Sequence, residues 1–253
     1  MAIQFEMTKE REAAMMALWE KKWFTDSLPV IQATLMTLPE KWNPFLFNLA
    51  TRADVIGGIT VKEIKAFATD PGNFGALITF KTIDATEKEG SYMFFGWRAG
   101  PISGSKGMVL VADDAGRITH FVQVRAEKFA GGGLILDDQP GGFGEPGEAV
   151  LATFIREMKE EIDPKIVIKD IVPLGNFHPD AGMTDNYPAI FYAVVQMDVS
   201  NEEKNSAHTD GPEVLSKYTV RPIDEIKDFI VNTSDGISLA IYAKMVASGM
   251  VFN

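Results

Sequence analysis

The chain contains no cysteine, which excludes a disulfide framework and agrees with a reducing compartment. No apolar run is long enough to span a bilayer, and the start, Met1 to Arg11, lacks the basic end and long apolar core of a signal peptide. Cytoplasmic residence is therefore expected. Positive charge is scarce as well: 24 Lys and Arg stand against 35 Asp and Glu, for a net charge of −11. Such a balance disfavours non-specific binding to nucleic acid or to anionic membranes, and neither is expected as a partner. A polyanionic substrate would have to meet local cations or metal. The sequence shows no internal repeat, and the stretch from Asn201 to Gly211 lacks an apolar pattern and reads as an exposed loop.

What is present suffices for a globular protein: 253 residues at 46% hydrophobic content can build one large core or two small ones. Gly, Pro and Ser cluster between Gly100 and Lys106, which marks a boundary between residues 1–104 and 105–253. In the first part, Thr8 to Thr25 and Pro29 to Leu38 read as helices, and Thr60 to Ala68 as a short amphipathic helix. Gly75 to Thr82 with Ser91 to Arg98 read as a hairpin. The Met- and Trp-rich run from Ala14 to Trp23 is more apolar than a solvated appendage should be, so it is expected to pack on another surface. Dimerisation and substrate selection are both open as roles for this region.

In the second part, Met108 to Arg125 reads as two strands joined by a turn at Asp113 to Gly116. Leu134 begins another short strand, Ile166 to Ile168 and Ile171 to Phe177 are strand-like, and Ala189 to Met197 has the pattern of a buried strand. Thr219 to Ile230 and Ser234 to Ala247 read as two helices.

The densest information lies between residues 142 and 161: Gly142, five residues, Glu148, seven residues, then Arg156-Glu157-Met158-Lys159-Glu160-Glu161. Six such matches in one window are expected by chance roughly once in 10⁷ to 10⁸ windows. No Pro or Gly interrupts the run from Glu148 to Ile162, so the spacing predicts a helix of about four turns. Val150, Phe154, Met158 and Ile162 recur every four residues and form a stripe for packing on a sheet. Glu157, Glu160 and Glu161 stand at i, i+3 and i+4, so their carboxylates share another face. Glu148 lies nine residues before Glu157, close to that face, and Arg156 can hold a carboxylate by a bidentate pair. Isolated, Glu-x-x-Glu-Glu would read as a solvated acidic face. In register with Gly142, Glu148 and Arg156 it reads as a site for a hard divalent cation bridging to phosphate.

The segment resembles the Nudix box, G-x5-E-x7-R-E-U-x-E-E-x-G-U with U apolar, and matches it through Glu161. Asp163 stands where the family has Gly and Pro164 where it has an apolar residue. The proline biases Asp163 toward extended geometry and ends the helix there. The resemblance runs from about residue 106 onward. It implies an α+β fold, a Nudix-type α/β/α sandwich with a mixed sheet, here preceded by a smaller, mainly helical N-terminal domain with a β-hairpin. It implies Mg²⁺, with Mn²⁺ as the alternative, held by Glu157, Glu160, Glu161 and the carbonyl of Gly141.

Leu136-Asp137-Asp138-Gln139-Pro140-Gly141-Gly142 and the strand end at Arg125 are similar to the branch that cleaves ADP-ribose and related nucleotide sugars, with Asp138 in the place of a Glu. That likeness gives Arg125 and Gly142 substrate-binding roles, and it gives Arg156 and Glu148 roles beside the three glutamates. In that branch, a loop glutamate helps to activate the attacking water. The loop from His178 to Pro188 offers Asp185 followed by Asn186, so the base is Asp185, a box glutamate, or nothing from this loop. The implied substrate is a nucleoside diphosphate linked to another group, with an ADP-ribose-like nucleotide sugar preferred. Alternatives are a nucleoside triphosphate, a dinucleoside polyphosphate, or nucleotide sensing without turnover. Relatives of the ADP-ribose type are dimers, so a homodimer is expected.

Overall fold

The structure, a computed structural model, describes residues 9, 13, 16–17, 19–26, 55–56, 59–67, 75–97, 104–128, 134–145, 148–184, 187–199, 204–205 and 217–252. Two compact units divide the chain, and neither is continuous in sequence. One comprises Ala2–Ser103 with His178–Tyr187, and the other Gly104–Phe177 with Pro188–Asn253.

In the first unit, positions 9, 13, 16, 17 and 19 are helical, and a short helix, α1 (Lys22–Asp26), follows. The segment from Pro29 to Leu38 lies outside the described residues. Next come β1 (Val55–Ile56), β2 (Ile59–Phe67), β3 (Gly75–Ile83) and β4 (Glu89–Trp97), an antiparallel sheet in the order of the chain. The expected hairpin is β3 with β4, in register from Gly75 opposite Trp97 to Ile83 opposite Glu89. The expected amphipathic helix at Thr60 is instead β2. Ile59, Thr60, Val61 and Ile64 are β-branched, a class that favours the extended backbone, and β3 supplies a partner along the whole segment. Val61 is buried on one face while Glu63 reaches Lys81 across the pair at 2.7 Å. The turn into β4 is tied by Asp84, whose carboxylate accepts from Thr86 N at 2.8 Å and Lys88 N at 3.1 Å.

The segment His178–Tyr187 belongs to this same unit. Phe95 N donates to Met183 O at 2.8 Å, and Tyr92 Oη to Gly182 O at 2.6 Å. A parallel bridge joins Phe95 and Thr184. The His178 and Tyr187 rings stack at 3.9 Å, closing the base of the loop.

The second unit is built on β5 (Gly104–Ala112), β6 (Ile118–Lys128), β7 (Leu134–Asp138), β8 (Gly141–Phe143), helix α2 (Val150–Glu161), β9 (Val167–Asn176), β10 (Ala189–Gln196), β11 (Lys204–Asn205), β12 (Lys217–Pro222), and helices α3 (Ile226–Asn232) and α4 (Gly236–Ala247). The sheet runs β11-β12-β6-β5-β10-β9, with β7 paired to β6 and β8 to β5. Among the described strands of this sheet, β10 on β5 is the one parallel pair, so the sheet is mixed. Thr219 to Pro222, expected to be helical, is part of β12. Tyr218 and Val220 alternate inward against β6, and Pro222 biases Arg221 away from helical geometry. The loop expected from Asn201 to Gly211 contributes the short edge strand β11.

Strand alternation splits the apolar residues between two layers. Val109, Val111, Val122, Val124, Phe191 and Val195 pack with Phe154, Met158 and Ile162 of the helical stripe. Met108, Leu110, Phe121 and Ile190 pack with Ile226, Phe229, Ile241 and Met245 beneath α3 and α4. The result is an α/β/α sandwich. Phe154 and Met158 are fully buried, and each contributes about 2–3 kcal/mol by area. Phe154 stacks on Phe191 at 5.3 Å, and Gly107 makes room for it, since a Cβ there would stand 2.4 Å from the ring. Fixing that stripe against the sheet turns the polar side of α2 toward β8.

Candidate active site

β5 and β6 pair only from Val109 to Ala112 on β5. Below that point they part: β6 continues with β7, while Gly104–Lys106 pairs with β8. Residues 139 and 140 cross the fork between them, held by Gly107 N donating to Pro140 O at 3.1 Å. That crossing delivers Gly141 and Gly142 to α2. Gly141 N donates to Glu161 Oε2 at 2.7 Å. Gly142 lies so close to the helix that a Cβ there would be 2.4 Å from Glu157 Oε1. The spacing of the two glycines from the helix thus has a steric reason.

Arg156 is the hub of the site. Nε and Nη2 donate to Glu148 Oε1 and Oε2, both at 3.2 Å. Nη1 donates to Glu157 Oε1 at 3.0 Å and to Glu160 Oε2 at 2.8 Å, and Nη2 also reaches Phe143 O at 2.9 Å. All five guanidinium N–H groups are therefore engaged. Glu148 is fixed further by Thr153 Oγ1 and Glu145 N, each at 3.0 Å. Hydrogen bonding from Arg156, the leading cause, holds the Glu148 carboxyl below its ordinary value. The same bond holds the Arg156 guanidinium above its own ordinary value. Glu157 goes the other way: burial outweighs the attraction of Arg156 and pushes its carboxyl up.

An ammonium lies beneath the loop. Lys106 pairs with Asp138, and their side chains are 17% and 6% exposed. Burial alone would push the Lys106 ammonium down, but Asp138, with Asp235 and Glu161, outweighs it and holds the value above the ordinary range. This pair was not found from sequence. The available signal was a lysine one residue ahead of an apolar strand run, opposite an aspartate just before the box.

Arg125 is not part of this cluster. Alternation places it, with Phe121 and Gln123, on the sheet face under α3 and α4, where it bonds Asp137 at 2.7 and 3.2 Å. There it lines an open pocket of about 390 Å³ with Gln123, Asp137, Thr219, Arg221 and Glu225. Asp185 and Asn186 lie outside the described residues.

The donor set fits a hard divalent cation: it offers carboxylate and backbone oxygens, and no sulfur or imidazole. Gly142 adds a geometric sign, since its backbone approaches the Glu157 carboxylate so closely that a Cβ there would stand 2.4 Å from Oε1. In the arrangement seen, the carboxylates are distributed between Arg156 and Gly141. Among the described residues, no three acidic or histidine side chains form a ready-made metal cage.

The NUDIX domain matches residues 105–237. The chain therefore belongs to the Nudix family, and it is an enzyme of the pyrophosphohydrolase class. A solved crystal structure of an ADP compounds hydrolase shares the fold with a TM-score of 0.57 at 15% identity, covering 78% of this chain and 99% of its own. No curated protein matches the sequence. Among the described residues, no helix is long and apolar enough to cross a membrane.

Proposed function

We propose that the protein hydrolyses the diphosphate bridge of a nucleoside diphosphate linked to another group, with an ADP-ribose-like nucleotide sugar as the preferred substrate class. The observation that carries the reading is the ordered cluster around Arg156, with Glu148, Glu157 and Glu160 on one guanidinium and Glu161 on the Gly141 amide. Glu157, Glu160, Glu161 and the Gly141 carbonyl would hold Mg²⁺ or Mn²⁺. When bound, the cation supplies charge neutralisation for the diphosphate.

Arg156 and Glu148 orient the ligating carboxylates, and the Gly141–Gly142 backbone brings the loop within reach of them. Water attacks one phosphorus, the bridging P–O bond breaks, and the departing phosphate keeps the electron pair. From ADP-ribose this gives AMP and ribose 5-phosphate. The attacking water loses its proton to Asp185 or to a box glutamate. Arg125 lies away from the cluster, so it would meet a part of the substrate remote from the carboxylates, in the pocket it lines.

The N-terminal part, residues 1–104, is assigned to dimerisation or substrate selection, and the protein to the cytoplasm. Met16 and Trp19 are 66% and 47% exposed, which supports a covered face and thus a homodimer. Chromatography of a nucleotide panel incubated with Mg²⁺ tests the function. Turnover of diphosphate-linked nucleotides above triphosphates and dinucleoside polyphosphates is expected. If no nucleotide is hydrolysed with either metal, the reading is wrong.

A further inference from the structure

We propose that the buried Lys106–Asp138 pair is a positioning device: it holds the Gly141 backbone against Glu161 and so sets the affinity of the carboxylate cluster for a divalent cation. The inference rests on the metal-dependent reading above. Four contacts carry it. The Lys106 ammonium holds Asp138 where the chain leaves β7. Asp138 Oδ1 in turn accepts from Gln139 N at 2.7 Å, which fixes the direction of the crossing. Gly107 N ties Pro140 O to β5. The Lys106 stem then forms the floor under Gly141: a Cβ on Gly141 would stand 2.6 Å from Lys106 Cα and 2.9 Å from Cγ. One residue thus grips both ends of the four-residue segment 138–141, and the far end of that segment presents its N–H to Glu161.

Stability alone is a poor reason for such a pair. Taking two charges out of water is costly, and replacing a buried ion pair by uncharged residues is often neutral. What an ion pair adds is a defined geometry, here at the point where the loop meets the ligating helix. Groups behind the first ring of ligands commonly change metal affinity by about 10–100-fold when they are removed.

Charge and position make opposite forecasts, which makes the inference testable. A cation near Glu161 repels a metal ion, so if Lys106 acted only through its charge, removing it would tighten metal binding. Positioning predicts weaker binding. Mn²⁺ affinity would be measured by titration calorimetry on the full chain for wild type, Lys106→Met and the double variant Lys106→Met/Asp138→Asn, with thermal unfolding alongside.

The double variant leaves the net charge unchanged and buries no unpaired ion. It is expected to unfold near the wild-type temperature yet bind Mn²⁺ at least about 10-fold more weakly. Lys106→Met should also weaken Mn²⁺ binding, and if it does not fold, the double variant decides. Mn²⁺ affinity in the double variant within about 2-fold of wild type, or tighter binding by a folded Lys106→Met, would overturn the proposal while leaving the metal-dependent reading intact. Wild-type protein that binds no Mn²⁺ would overturn both.

Discussion

Replacing Gly142 with alanine should separate catalysis from folding. The added methyl would stand 2.4 Å from Glu157 Oε1 and 2.7 Å from its Cδ, where ordinary contact begins at 3.4 Å. The carboxylate must therefore retreat by about 1 Å, a displacement that commonly costs around 10²-fold in rate when it disturbs a reacting geometry. Arg156 Nη1 holds the same oxygen at 3.0 Å, so the retreat also strains the hub. The fold should barely notice, because Gly142 is not among the positive-φ glycines and the obstructing atoms are the end of a side chain. A stability change of about 1 kcal/mol or less is expected.

Gly141→Ala supplies the contrast. Its φ is +152°, and a Cβ would meet Ser105 O at 2.3 Å, a backbone atom that cannot step aside. That variant should lose about 2–4 kcal/mol of stability. Measuring kcat/KM on ADP-ribose with Mg²⁺ beside urea unfolding distinguishes the two. If Gly142→Ala kept wild-type kcat/KM, or lost as much stability as Gly141→Ala, the steric argument would fail.

Glu160→Gln and Glu161→Gln should each lower hydrolysis by orders of magnitude while unfolding in the absence of metal stays near wild type; near-normal turnover at saturating Mg²⁺ would rule them out as ligands. Arg156→Lys keeps the charge but offers three donors where five are engaged, so kcat/KM should fall by about 10–100-fold, and an unchanged value would show that orientation by the guanidinium is unimportant. Asp185→Asn should lower kcat about 10²-fold with KM little changed if that residue is the base; an unaltered rate passes the role to a box glutamate. Among the described residues, neither side-chain amide atom of the buried Gln139 has a hydrogen-bond partner. Gln139→Met should therefore raise stability by about 1–2 kcal/mol in urea unfolding, and destabilisation would mean that the amide is satisfied in solution.

The box helix was legible because three independent signals coincide in it: no helix breaker, a four-residue apolar stripe and carboxylates grouped on another face. Its contacts followed the same logic, with Phe154, Met158 and Ile162 buried and Arg156 among the glutamates. The errors fell where local pattern is ambiguous. Ile59 to Phe67 has charges that also suit a helical face, and only the presence of β3 decides for a strand. Thr219 to Pro222 adjoins a helical pattern in sequence, and Pro222, which favours an extended Arg221, is the local sign that it belongs to a strand. Lys106 was invisible for a different reason: its meaning depends on the fork between β5 and β6, a long-range feature that no local window contains. The orientation of Arg125 likewise follows from which face of β6 the core claims.

The His178–Tyr187 segment has a consequence for the order in which the chain can mature. During synthesis β4 emerges well before the segment that hydrogen-bonds to it, since Tyr92 and Gly182 are 90 residues apart. Until then the outward N–H of Phe95 has no Met183 carbonyl to meet, and an open strand edge is an aggregation hazard. All of β5 to β9 must be made before that edge can close. The sheet of β1 to β4, though synthesised before β5 to β9, is thus completed after them.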